Sequence, residues 1–228
     1  MIQKLKDNSL IIGLGLTIAL AVFVIVLGLF FFMDPMRQPF LFDVGVDSMG
    51  SLACAALFFG CMKQSGAGTK TFRTLVVFVS AAFAINEAVC YTLQVPEQRT
   101  LCFALCLLIK LIDLAMIYCF YKYIETTLGF KGPLAKWTGK ILPVLMAFEA
   151  AVLVSNVFYP VTFYIDADGI YQTTAAAPLE DIYLAVASVV TAILIIRSNS
   201  LRNQKAAGLT FILFPLIEYA LTGWSVHL

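Results

Sequence analysis

Histidine occurs once in this chain, at position 227, and that scarcity removes several chemistries at the outset. Haem ligation by paired histidines, histidine-bearing zinc sites and histidine acid–base catalysis have no residues to work with. Charge is scarce too: Asp, Glu, Lys and Arg make up 13% of the residues, against 61% hydrophobic. No soluble domain of this length could hide that much apolar surface. The chain has no Gly-rich phosphate loop, no Gly-x-Ser-x-Gly elbow and no paired aspartates in the motifs of an intramembrane protease. No catalytic site and no cofactor are expected. The seventh apolar segment has no central lysine, which excludes a retinal Schiff base of the usual microbial kind.

What the sequence does have is seven long apolar segments, at 10–32, 44–62, 74–94, 101–121, 138–159, 179–196 and 206–224. Each is near the ~20 residues that cross a bilayer core as a helix. The first is longer than a signal-peptide core and has no small-residue cleavage site, so it is expected to stay as a helix. The basic residues sort by side. Lys4 and Lys6, then Lys63, Lys70 and Arg73, then Lys122, Lys131, Lys136 and Lys140, and last Arg197, Arg202 and Lys205 all fall on one side of successive crossings. The other side has only Arg37 and Arg99, and its longest loop is acidic, with Asp166, Asp168, Glu180 and Asp181. The positive-inside rule then predicts a cytoplasmic N-terminus and, after seven crossings, an external C-terminus. The fold class expected is an all-α membrane protein, a single seven-transmembrane-helix bundle over residues 1–228. The lipid bilayer is its first partner, and the net charge of +1 implies no nucleic acid.

Six cysteines, Cys54, Cys61, Cys90, Cys102, Cys106 and Cys119, all fall inside the apolar segments and read as small packing residues; only Cys90 and Cys102 stand close enough to one end to meet. Pro143 and Pro215 lie within segments and should bend them. Between the fifth and sixth segments the run Thr162–Ile165, then Asp166-Ala167-Asp168-Gly169, then Ile170–Thr174 predicts a small external β-hairpin, with Asp opening the turn and Gly169 closing it. Asp-Ala-Asp-Gly also opens like a calcium loop, but the twelfth position has no glutamate, so no metal is assigned.

Ionisable residues inside the segments cluster by depth. Asp47 is in the second, Asn86 and Glu87 in the third, Lys110 and Asp113 in the fourth, Glu149 in the fifth and Glu218 in the seventh. A charge at the bilayer centre costs at least ~2.5–3.5 kcal/mol on insertion scales, so these groups must face one another or water. Lys110 and Asp113, three apart on one helical face, can pair directly. Glu87, Glu149 and Glu218 then lack a basic partner, and either carry a proton or line a hydrated pocket. A ligand site in the outer half of the bundle follows, with Asp47, Asn86, Glu87, Lys110, Asp113, Glu149 and Glu218 as its floor and Tyr164 and Tyr171 on the hairpin above. The competing reading is that these residues hold the helices in register. Tyr91, Phe158, Tyr159 and Phe163 belong to an interfacial aromatic belt.

The run Pro160-x-x-Phe163-Tyr164-x-Asp166-x-x-Gly169-x-Tyr171, followed by Pro178-Leu179, resembles a stretch in the N-terminal multi-pass sensor regions of bacterial signalling proteins of the diguanylate cyclase and histidine kinase type. The basic loop Arg197–Lys205 and Phe214-Pro215-Leu216-Ile217 are similar as well. Where that stretch continues with Arg-Gly-Pro-Leu, this chain has Gln172 to Ala177 instead. The resemblance implies a sensor in the bacterial cytoplasmic membrane that binds a small extracytoplasmic molecule, works as a homodimer and signals to a cytoplasmic output module beyond residue 228. The rival expectation is a proton- or cation-coupled small-molecule transporter.

Overall fold

The computed structural model describes residues 2–33, 40–206, 208–210 and 212, with side chains from Leu10 onward. Six helices in it are long and apolar enough to cross a membrane. They are α1 (Ile2–Met33), α2 (Leu41–Gly60), α3 (Ala67–Thr92), α4 (Arg99–Leu128), α5 (Pro133–Ser155) and α6 (Ile182–Arg197). Large apolar side chains such as Phe42 and Phe59, 79% and 68% exposed, have no protein cover. Only an apolar solvent outside the bundle tolerates such a surface, and the chain is a multi-pass membrane protein. Of the expected seventh segment, 206, 208–210 and 212 are helical. Phe214, Pro215, Glu218 and His227 lie outside the described residues.

The helices start and stop where backbone chemistry requires, and several run past the apolar stretches. α3 begins at Ala67, taking in Lys70 and Arg73, and α4 continues seven residues beyond 121 through the Lys122–Glu125 pair at 2.6 Å. Charged side chains do not end a helix once it reaches the interface, because their stems lie along apolar surface while their heads reach water. Glycine does end it: Gly129 adopts a left-handed φ of 61°, and its N–H closes on the Glu125 carbonyl at 3.0 Å. α5 opens on Pro133 at its first position, five residues before the expected start, where the missing N–H costs nothing. Pro143 lies within α5 as expected.

α1, α2 and α3 pack on one another, as do α4, α5 and α6, and the long α3–α4 contact joins the two triplets. All six cysteines are free thiols, Cys90 and Cys102 included; Cys61 caps the end of α2 and is not within it.

The hairpin forms between α5 and α6. β1 (Phe163–Ile165) pairs antiparallel with β2 (Tyr171–Thr173), setting Phe163 opposite Thr173 and Ile165 opposite Tyr171. Phe163 and Ile165 are buried while Tyr164 faces out, the alternation that a two-sided strand dictates. The turn docks on the α3–α4 corner: the Gln94 N–H donates to the Gly169 carbonyl at 3.0 Å, and Arg99 Nε donates to the Ile165 carbonyl at 2.8 Å.

Gly169 meets two demands at once. Its φ is +78°, and a Cβ there would stand 2.9 Å from the backbone nitrogen of Val95. Gly169→Ala is expected to cost more than the ~1–2 kcal/mol of the left-handed conformation, since backbone cannot swing aside as a side chain can. Limited proteolysis within 162–174 should accelerate in this variant while the transmembrane fragments stay intact.

Candidate functional site beneath the hairpin

The sequence-predicted polar residues separate into two clusters, one in each triplet. In the first, Asn86 on α3 donates from Nδ2 to Asp47 Oδ2 on α2 at 2.9 Å. One residue on, Glu87 is fully buried, and among the described residues neither carboxylate oxygen has a hydrogen-bond partner. A Cβ on Gly28 of α1 would lie 3.3 Å from Glu87 Oε1 and 3.6 Å from Ser48 Oγ, so α1 approaches this carboxylate with bare backbone. The hydroxyls of Ser51 and Ser80 are buried and unpartnered as well. This cluster holds acids, amide and hydroxyls, and among the described residues no cation is paired to it.

The second cluster is built from α4, α5, the start of α6 and the hairpin. Lys110 does not pair with Asp113. It makes an ion pair with Glu180, from the 3-10 turn Ala177–Asp181 that leads into α6. Same-helix spacing makes Asp113 available, but the fold brings Glu180, 70 positions along the chain, to the ammonium instead. The ammonium also stands 5.4 Å from the centroid of Phe163 and 5.6 Å from that of Tyr171. These two rings stack at 5.4 Å, and Phe103 on α4 stacks on Phe163 from the other side. A desolvated cation over ring faces gains up to ~2 kcal/mol. Burial raises the Tyr171 phenol above its ordinary range, opposed by the Lys110 ammonium.

Glu149 has a role that its type alone does not announce. Its Oε2 accepts the Tyr183 N–H at 2.8 Å, so a carboxylate on α5 caps the first turn of α6. Asp181, the residue at the cap position itself, makes no side-chain cap. A negative group at a helix N-terminus satisfies a free amide and meets the positive end of the helix dipole. Glu149 Oε1, Glu180 Oε1 and the hydroxyl of fully buried Tyr183 remain buried without hydrogen-bond partners among the described residues.

Asn156, which sequence reasoning did not single out, fastens the hairpin to α5. Its Nδ2 donates to the Leu153 carbonyl and to Thr162 Oγ1, both at 2.9 Å, and its Oδ1 accepts from the Thr162 and Phe163 amides at 2.8 and 3.2 Å. An asparagine at a helix end four residues before Pro160 is the signal that marks such an anchor. Tyr164 lies on the exposed face of the hairpin, whereas Tyr171 lies against Lys110. Comparison of the chain with protein-family models, curated proteins and solved structures gives no match.

The turn above the cluster has its own titrating group. Asp166 Oδ1 accepts the Asp168 and Ile170 amides at 3.0 and 2.9 Å, and Oδ2 accepts from Gln172 at 3.1 Å. These bonds favour the charged form and hold the carboxyl below its ordinary 3.8, the Ile170 amide contributing most. Because the folded value lies below the unfolded one, the stabilisation is present above about pH 4 and is lost as pH falls through the folded value. Amide exchange at Gly169 and Ile170, corrected for its intrinsic pH dependence, should therefore quicken below pH 4 in the native chain. In Asp166→Asn that added step should vanish.

Proposed function

We propose that the chain is a membrane-embedded sensor region. Its seven spans have the N-terminus and the basic loops in the cytoplasm and the hairpin outside, as the sorting of lysine and arginine requires. A small ligand enters from the outside, binds between α4, α5 and α6 beneath the hairpin, and signals to a cytoplasmic output module. One observation carries this reading: Glu149 Oε1, Glu180 Oε1 and the Tyr183 hydroxyl, from three elements around the start of α6, are buried and lack hydrogen-bond partners among the described residues, and Glu180 is the residue that pairs with Lys110. A buried polar atom without a partner costs ~1–3 kcal/mol, and a ligand bearing hydrogen-bond donors, an amine or a polyhydroxy compound, supplies what is missing.

The signal follows from the same contacts. A ligand amine competes with Lys110 for Glu180, and Lys110 supports the aromatic underside of the hairpin. Release of that pair frees the hairpin, which is tied to the α3–α4 corner and to α5 through Asn156. Only a ligand that binds the two arrangements unequally shifts them. The resemblance around Phe163-Tyr164 and Gly169-x-Tyr171 supports a sensor.

A second reading, proton- or cation-coupled transport, is favoured by a different observation. The first triplet encloses Glu87, whose two carboxylate oxygens have no hydrogen-bond partner among the described residues, as a coupling acid within a transporter would.

The test is a binding screen of small amines and polyols against the full chain in nanodiscs. Glu149→Gln and Tyr183→Phe should each weaken the compound bound by native protein about tenfold or more, the effect of losing one bond to a charged or buried group. Unchanged affinity in both variants would remove the ligand from this cluster. Uptake into proteoliposomes driven by a proton or sodium gradient would favour transport instead.

A further inference from the structure

At the end of the bundle opposite the hairpin, a cleft of about 530 Å³ opens where α4 ends, α5 begins and α6 ends. Its inner wall is apolar: Leu128 and Leu194 are buried, and Leu134 and Phe130 are half-buried. Its rim has two cations, Lys131 and Arg197, both exposed, with no acidic residue among the lining side chains. Neither has an ion-pair partner among the described residues. The loop after α6 adds Ser198 and Asn199 as hydrogen-bonding groups. α5 itself opens on Gly132-Pro133 with no side-chain cap, leaving first-turn amides free for an anion.

We infer that this cleft holds the headgroup of an anionic phospholipid, its phosphate on Lys131 and Arg197 and its upper acyl chain along Leu128, Leu134 and Leu194. Two features select this occupant. The cations sit where three membrane-crossing helices end together, and basic pockets between transmembrane helices recognise such headgroups. The apolar wall continues inward from them, so a soluble phosphate would satisfy the charges and leave the leucines uncovered. A zwitterionic lipid would bring its own ammonium against Lys131 and Arg197. Bound there, the lipid spans α4, α5 and α6 at the end remote from the hairpin, and its presence makes the packing of these three helices depend on the anionic content of the bilayer.

The experiment is native mass spectrometry of the full chain in mild detergent, titrated in parallel with phosphatidylglycerol, phosphatidylcholine and inorganic phosphate. The native chain should retain phosphatidylglycerol in preference to phosphatidylcholine. Lys131→Gln/Arg197→Gln should weaken that retention about 30-fold, each basic residue contributing about fivefold at an anionic surface. Lys136→Gln/Lys140→Gln, a pair near the same end but outside the lining, should leave it unchanged. Equal loss in both double variants would reduce the effect to general surface attraction and overturn the site. Equal retention of the two lipids would overturn it as well, and inorganic phosphate bound in place of lipid would make the cleft a soluble-phosphate site. Melting temperatures of both double variants, expected to match the native chain, separate lost binding from lost folding.

Discussion

A charged or polar group inside a bilayer has only the protein to answer it, and this constraint organises the whole molecule. The backbone meets it by running as helices, each closing its own hydrogen bonds across the apolar core. Side chains meet it by pairing across elements. Asn86 answers Asp47, Glu180 answers Lys110, and Glu149 answers the first turn of α6. The Glu149 contact shows how economical the arrangement is, because one carboxylate on α5 satisfies a helix end that its own cap residue leaves open.

The hairpin inherits its importance from those pairings. It is short, three residues a strand, and a two-stranded ribbon of that size has little stability alone. Docking holds it: Phe163 is stacked between Phe103 and Tyr171, Gly169 lies against the Val95 backbone, and Asn156 bonds both sides of the chain's exit from α5. These contacts reach α4, the loop between α3 and α4, and the end of α5. In the proposed mechanism a change at Lys110 reaches the α3–α4 corner, which is also the seam between the two triplets. There a local exchange of ion-pair partners would become a change in helix packing.

Much of this architecture is legible in the residues themselves. Apolar runs locate the spans because nothing else in the chain has that length, and Asp166 with Gly169 locates the hairpin because the turn needs an acceptor and a positive φ. Span ends are less legible. Lys70, Arg73, Lys122 and Glu125 look like boundaries by charge, yet all lie in helix; the α4–α5 break comes instead at left-handed Gly129, with Pro133 opening the next helix. The pairing of Lys110 is illegible for another reason: helical spacing sees only Asp113, whereas Glu180 is 70 positions away and is brought in by the fold. Depth along the helices likewise suggests one polar floor, but which face each residue occupies depends on packing, and packing puts Glu87 with α1 and Glu149 with α6.

The proposed external receptor requires the hairpin to face outward and the basic cleft to face the cytoplasm. The most direct test is labelling with a membrane-impermeant maleimide in a cysteine-free background, using Tyr164→Cys on the outer face of the hairpin and Lys131→Cys at the cleft. In intact cells Tyr164→Cys should label at once, and Lys131→Cys only after permeabilisation. The reverse pattern would place the hairpin inside the cell and contradict reception of an external ligand.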